Sequence, residues 1–133
     1  LDSQYPEQSF LALSDGLLTA RDLYQLDRGI RAEFVMMSAC QTGLGRLHPD
    51  SVIGLTNAFL ICGANAVGST LWQIPDAATA SLMLGFYRDL AAGRDLATSL
   101  RNAQLQALED PATSAPFNWA AFKITGRANN PLR

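Results

Sequence analysis

The chain has 133 residues, 48% hydrophobic and 17% charged, with a net charge of −2 and a mean hydropathy of +0.06, which suits one globular domain or part of one. Ten Lys and Arg are scattered among twelve Asp and Glu, so no basic patch for nucleic acid is expected. No apolar run approaches the ~20 residues that cross a bilayer, so no membrane contact is expected either. Two cysteines, Cys40 and Cys62, are too few for a disulfide scaffold and suit a reducing, cytoplasmic location. Those two thiols and one histidine do not make a zinc set, so neither metal nor cofactor is expected. The first residue is Leu1 rather than Met, which suggests a piece of something longer.

Residues 1–10 carry a proline and few periodic apolar positions, and read as a connecting segment. Phe10-Leu11-Ala12-Leu13 followed by Ser14-Asp15-Gly16 predicts a short strand stopped by a turn. Thr19 is a good N-cap for a helix to about Leu26, with Leu23 and Leu26 on one face. Phe34-Val35-Met36-Met37 is a continuous apolar run, the pattern of a buried parallel strand, predicted over residues 32–40. Cys40 then stands at the strand's carboxyl edge, where open α/β sheets collect ligands.

Gln41 to Ser51 reads as a long glycine-bearing loop. Val52, Ile53, Leu55, Phe59 and Leu60 mark a helix ended by Gly63. Ala66 to Trp72 predicts another buried strand, closed by Ile74-Pro75-Asp76, with Asp76 capping a helix that runs through Ala92 and stops at Gly93. Residues 95–109 predict a further helix, since Leu96, Leu100, Ala103 and Leu108 lie near helical spacing. Pro111 and Pro116 enforce a loop. Trp119 to Ile124 reads as the last strand, and the tail from Gly126 is polar enough to fray. Strand and helix alternate, which predicts an α/β fold: a parallel or mostly parallel sheet flanked by helices, in a single domain over residues 1–133.

On spacing alone, Cys40 packs as a small hydrophobe, and Cys62, among apolar helical positions, does the same. Gly43 and Gly45 lack both the dinucleotide spacing and the Lys-Ser/Thr ending of a phosphate loop, so nucleotide binding is not expected. Their use is to let the backbone turn sharply beside the thiol. His48 lies in the loop after the cysteine. It is a solvent-exposed loop residue, or it folds back towards the sulfur as an alternative base.

Several spaced blocks carry a resemblance. Ser38-Ala39-Cys40-Gln41-Thr42-Gly43, then Gly54-Leu55 with Ala58-Phe59-Leu60 and Gly63-Ala64, then Ser69-Thr70-Leu71-Trp72-Gln73-Ile74-Pro75-Asp76 with Thr79, then Phe86-Tyr87 and Trp119-Ala120-Ala121-Phe122 resemble a CHAT domain. CHAT domains belong to the caspase and separase group of cysteine peptidases. The resemblance spans about Leu13 to Gly126 and implies a caspase-like fold, of which this chain is the C-terminal and incomplete part. It implies that Cys40 is the nucleophile, that the Cys40 amide donates to a developing oxyanion, and that the partner histidine lies on a strand ahead of Leu1. Without that base a thiol with a pKa near 8.5 is only slightly ionised at neutral pH, so this piece alone is expected to be a poor catalyst.

The resemblance also implies that Asp76 lies in the pocket that receives the substrate residue before the cut. A carboxylate there favours Arg through bidentate pairing, or Lys as a point charge. Trp72 then walls the pocket, and Ser69 and Thr70 line it. Alternatives stay open: Asp76 as an ordinary helix cap, Trp72 as core, and Asp50 as a solvated loop acid rather than a source of negative potential. The implied function is a Cys-His endopeptidase acting on a protein or peptide, with helical repeats or a regulatory protein as partner. The alternative is a non-catalytic interaction scaffold of the same fold. A third reading is a partial domain that pairs with its missing half, or with itself, across an exposed sheet edge.

Overall fold

A computed structural model of the chain describes residues 10–37 and 49–132. In chain order the described elements are β1 (Phe10–Leu13), β2 (Gly16–Thr19), α1 (Ala20–Tyr24), β3 (Val35–Met37) and α2 (Pro49–Ile61). They continue as β4 (Ala66–Thr70), α3 (Asp76–Ala91), α4 (Leu96–Glu109), α5 (Pro116–Trp119) and β5 (Phe122–Gly126).

The turn at Ser14-Asp15 does not end strand structure, as expected, but folds it back. β1 and β2 pair antiparallel with Leu13 opposite Gly16 and Phe10 opposite Thr19. Thr19 then caps α1 as predicted. Its hydroxyl accepts from the Asp22 amide at 3.1 Å while its own amide donates to Asp22 Oδ2 at 2.8 Å, a reciprocal box that satisfies two otherwise orphaned donors. The helix stops at Tyr24, short of the predicted Leu26. Leu23 is consequently buried and Leu26 is exposed, not on one face as the spacing suggested.

The second sheet has the order β3-β4-β5. Strands β3 and β4 are parallel, with Met37 opposite Ser69, because a single helix, α2, carries the chain between them. Strands β4 and β5 are antiparallel, with Thr70 opposite Phe122 and Ala66 opposite Gly126. Here the connection is the helical hairpin of α3 and α4, followed by the short helix α5. Two passes return the chain to the edge it left, so β5 must run back. The expectation of a mostly parallel sheet is therefore corrected: among the described strand pairings only β3 with β4 is parallel.

Side chains alternate across the sheet and sort into two cores. Val35, Met37 and Val67 pack with Leu23 of α1 and Leu55, Ala58 and Phe59 of α2. On the other face Phe34, Met36, Ala66, Phe122 and Ile124 pack with Leu82 and Phe86 of α3 and Leu96, Leu100 and Ala103 of α4. The result is helix, sheet, helix. Phe86 is fully buried and meets Phe34 with ring centroids 5.8 Å apart at 56°, a tilted pair contributing about 0.5–1.5 kcal/mol beyond its area. Gly68 sits mid-strand because a Cβ there would stand 2.8 Å from Phe34 Cζ and collide with Met36 Sδ. The bare backbone makes room for both side chains.

The helix after the cysteine strand ends as predicted. Gly63 has φ +109°, its amide donates to Leu60 O at 3.1 Å, and the Ala64 amide donates to Phe59 O at 3.0 Å. That pair of bonds is a Schellman motif, which closes the last carbonyls of α2. The start of the helix differs from expectation: α2 begins at Pro49, so the predicted loop to Ser51 ends earlier. Proline at the first helical position loses nothing, because that amide has no intrahelical acceptor. Asp95 caps α4, accepting from the Thr98 amide at 2.8 Å and from the Thr98 hydroxyl at 2.8 Å. Both bonds hold its carboxyl below the usual carboxylate range. Pro116 opens the short helix α5 instead of enforcing a loop, and Trp119 belongs to that helix, so β5 starts at Phe122 rather than Trp119. Among the described residues no helix is long and apolar enough to cross a membrane.

Candidate functional site

Of the predicted site residues, Ser69 and Thr70 end β4, and Trp72 and Asp76 follow them into α3. β3 ends at Met37, and the chain then runs to Cys40, which lies outside the described residues together with His48, Gly43 and Gly45. Asp50 is in the first turn of α2 rather than in a loop, and its side chain also lies outside the described set.

Ser69 and Thr70 are the last two residues of β4 and are both buried, yet they face opposite ways. Ser69 shares the face of Val67 and looks towards the α2 layer, while Thr70 shares the face of Ala66 and looks towards α3 and α4. They cannot line one wall together. Ser69 is 1% exposed, and its buried hydroxyl has no hydrogen-bond partner among the described residues. A buried hydroxyl left in that state costs about 1–3 kcal/mol, so Ser at this position is not chosen for stability.

Beyond β4 the chain leaves the sheet. The Leu71 amide still donates to Ala121 O at 3.0 Å, which ties the exit to the segment before β5. Trp72, predicted to complete the strand, lies after it and is not core: it is 37% exposed. Its indole Nε1 donates to Phe117 O at 2.9 Å, and its ring stacks on Phe117 with centroids 6.3 Å apart at 25°. Ile74 returns to the core at 3% exposure and anchors the turn into α3.

Asp76 does not cap α3. Pro75 is the N-cap, with φ −56° and ψ 138° and no side-chain cap, and Asp76 is the first helical residue. Proline's fixed φ suits this position, and its missing amide costs nothing ahead of the helix. Asp76 is exposed, and as an acid in the first turn it gains from the positive end of the helix dipole. Its carboxylate is thus available at the same edge of the sheet as Trp72.

Cys62 behaves as its packing reading requires. It is a half-buried free thiol at the end of α2, packed against the α1/α2 core, and its Sγ donates to Leu23 O at 3.1 Å. A cleft of about 490 Å³ lined by Glu33, Asn65, Arg127, Asn130, Pro131 and Leu132 opens at the opposite, amino edge of the sheet and shares no residue with the predicted site.

The family model described as CHAT domain matches residues 1–127. The chain belongs to the CHAT family. Tetratricopeptide repeat protein 28 of Mus musculus is 37% identical to it over 122 residues, and the protein of the same name in Homo sapiens is 34% identical over 122 residues, each alignment covering 90% of this chain. The chain spans 5% of the length of those relatives. Membership in the CHAT family implies a caspase-like fold, and the α/β layers of this CHAT domain, with their mixed sheets, are consistent with part of one.

Phe117 is the residue of the CHAT domain's carboxyl edge that sequence reasoning missed. It falls in the stretch read as a proline-enforced loop, and the signal that marks it is Pro116, a favoured first helical residue, directly before an aromatic pair spaced as Phe117 and Trp119.

Proposed function

We propose that this CHAT domain acts, in its complete protein, as a cysteine endopeptidase that prefers a basic residue before the cut. Residues 1–133 supply the C-terminal, nucleophile-bearing portion of the domain. The observation that carries this reading is convergence on one edge: β3 ends three residues before Cys40, and β4 at the same edge leads into exposed Trp72 and Asp76.

In this reading the Cys40 thiolate attacks the scissile carbonyl carbon, and backbone amides, including that of Cys40, hold the oxyanion. The intermediate collapses with loss of the amine, which takes its proton from imidazolium, and water hydrolyses the thioester left on Cys40. The imidazole is the family's histidine, which has no matched position in this chain. Asp76 binds the basic side chain before the cut, Trp72 walls the pocket, and Ser69 lies under its floor. His48 is the second candidate for the base. The relatives' name states tetratricopeptide repeats, stacked helical units with concave binding surfaces, and such an array is the partner proposed to control access to the site in a cytoplasmic protein.

A scaffold that binds an extended segment without cutting it is the second reading, favoured by the preformed Trp72 and Phe117 pair, which needs no chemistry to be useful. The pH dependence of Cys40 alkylation, with Cys62 as internal control, separates the two when read by mass spectrometry on the complete protein. A midpoint well below the free-thiol value of about 8.5 supports the peptidase, together with loss of peptide cleavage in Cys40→Ala. A midpoint at or above that value, with no cleavage by the wild-type protein, sinks the peptidase and leaves the scaffold.

A further inference from the structure

The cleft at the amino edge of the sheet is tied together from three stretches of chain. The Asn65 amide donates to Ala32 O at 3.0 Å and the Arg127 amide donates to Asn65 O at 2.8 Å, so backbone pairing continues past the strand ends. Gly126 permits that close approach: its φ is +106°, and a Cβ there would stand 2.5 Å from Asn65 O. The tail beyond β5, polar enough to fray on sequence grounds, is held instead. The Ala97 amide donates to Ala128 O at 3.0 Å, Pro131 forms an isolated bridge with Asp95, the cap of α4, and Ala128 packs against the α3/α4 core. A ligand entering the cleft therefore meets backbone that is already ordered.

The lining specifies the ligand. The cleft holds about 490 Å³, inside the ~300–1,000 Å³ usual for small-ligand sites, and four of its six lining residues are polar. Among the described residues no group pairs with the exposed Arg127 guanidinium or with the side-chain amides of Asn65 and Asn130. A rigid fork of N–H donors with two further amides fits a planar acceptor, a carboxylate, which guanidinium binds through two parallel hydrogen bonds. Glu33 has an interaction of its own and is not counted among the open groups. Its acid on the same lining disfavours an anion with two charges. Pro131 and Leu132, the latter 39% exposed, supply apolar surface beside the donors.

We propose that this cleft binds the carboxylate of a singly charged ligand that carries an apolar group next to it. Arg127 holds the carboxylate, Asn65 and Asn130 add hydrogen bonds, and Pro131 and Leu132 cover the apolar group. Two sources share that chemistry: a free small carboxylic acid and the last residue of a peptide. The cleft shares no residue with the site proposed around Cys40 and Asp76, so the inference stands whether or not the domain cuts peptides.

The test uses the complete protein carrying Cys40→Ala, so that no probe is cleaved. The probes are fluorescein-labelled Gly-Ser-Gly-Ser-Leu with a free C-terminal carboxylate and the same peptide with a C-terminal amide, and binding is read by anisotropy. The carboxylate peptide should bind about tenfold to a hundredfold tighter than the amide, the range that a hydrogen bond to a charged group contributes. Arg127→Gln, at an exposed position, should abolish that difference, whereas Arg127→Lys, which keeps the charge and loses the fork, should retain part of it. Asp76→Asn should leave it unchanged. Displacement of the labelled peptide then identifies the source. N-acetylleucine as effective as the unlabelled peptide assigns the cleft to a free acid, and a much weaker effect assigns it to a peptide end.

Equal binding of carboxylate and amide overturns the proposal, including the case in which another part of the protein fills the cleft. So does a carboxylate preference that survives Arg127→Gln, because the site then lies elsewhere in the protein. Displacement by inorganic phosphate as effective as by N-acetylleucine overturns the assignment to a singly charged carboxylate.

Discussion

Replacing Ser69 by Ala is expected to stabilise the fold. The residue is 1% exposed and its hydroxyl has no partner among the described residues, on the face of β4 that packs towards α2. Removing it recovers the ~1–3 kcal/mol desolvation cost of an unsatisfied group. The void left is roughly one water-sized sphere, ~10–15 Å³. At ~24 cal/mol per Å³ it costs only about 0.3 kcal/mol. The net gain is therefore about 1–2.5 kcal/mol. For 133 residues the unfolding entropy of ~2.1 cal/mol/K per residue gives about 0.28 kcal/mol/K, so each kcal/mol moves Tm by roughly 4 °C. Differential scanning calorimetry should show a rise of about 4–9 °C, with a higher urea midpoint at unchanged slope. Ser99, whose buried hydroxyl likewise has no partner among the described residues, lies on α4 and serves as the control, since Ser99→Ala should stabilise for the same reason. A fall in Tm for Ser69→Ala alongside a rise for Ser99→Ala would show that the Ser69 hydroxyl is bonded, and the reasoning would fail. If stability rises while peptide cleavage by the complete protein drops, the hydroxyl is kept for function at a cost in stability.

Gly63→Ala should destabilise by about 2 kcal/mol or more, read as a lower urea midpoint, because φ is +109° and the new Cβ would stand 2.7 Å from Ile30 O, a backbone atom that cannot swing aside. An unchanged midpoint would mean that the Schellman closure of α2 contributes nothing. Acid unfolding should depend on the two capping carboxylates. Asp22 is held below the usual range by the Thr19 hydroxyl and amide, and Asp95 by the Thr98 amide and hydroxyl. A folded-state value depressed below the unfolded one of ~3.9 gives stability that is fully present above that pH and lost as pH falls through the folded value. Asp95→Asn keeps an acceptor but cannot titrate, so the loss of stability between pH 4 and pH 2 should be shallower in the variant. Superimposable pH profiles by circular dichroism would refute the assignment.

The order of elements was legible because each has a local physical cause: Thr19 with Asp22 for α1, Gly63 for the end of α2, Asp95 for α4. Strand direction was not, since it depends on the number of helices between strands acting as passes across the sheet, a property no local pattern encodes. Hairpin β1-β2 was missed because Leu17 and Leu18 follow the turn without alternation, and the proline at 116 was read only as a breaker when it also starts helices. At the site, the blocks that resemble the family drew attention to Trp72 and Asp76, which follow β4 in the turn into α3 and its first residue. They could not tell that Ser69 and Thr70 face apart, that Pro75 takes the cap from Asp76, or that Phe117 comes from 45 positions away to stack on Trp72.

The helical hairpin that reverses β5 also acts as a ruler. Helix α3 has 16 residues and α4 has 14, about 24 Å and 21 Å at ~1.5 Å per residue, and because these lengths nearly match, the chain climbs back to the height from which it descended. Phe117 reaches Trp72 only for that reason. Lengthening α3 by one turn, about 5.4 Å, without lengthening α4 would leave the returning chain short of its mark, whereas equal insertions on either side of Gly93 would push the far bend outward and keep the aromatic contact. Natural variation in the two helices should therefore come in matched steps, and the bend at Ala92 to Arg94, ahead of the Asp95 cap, is where a reporter or affinity tag can be inserted with least effect on the opposite end.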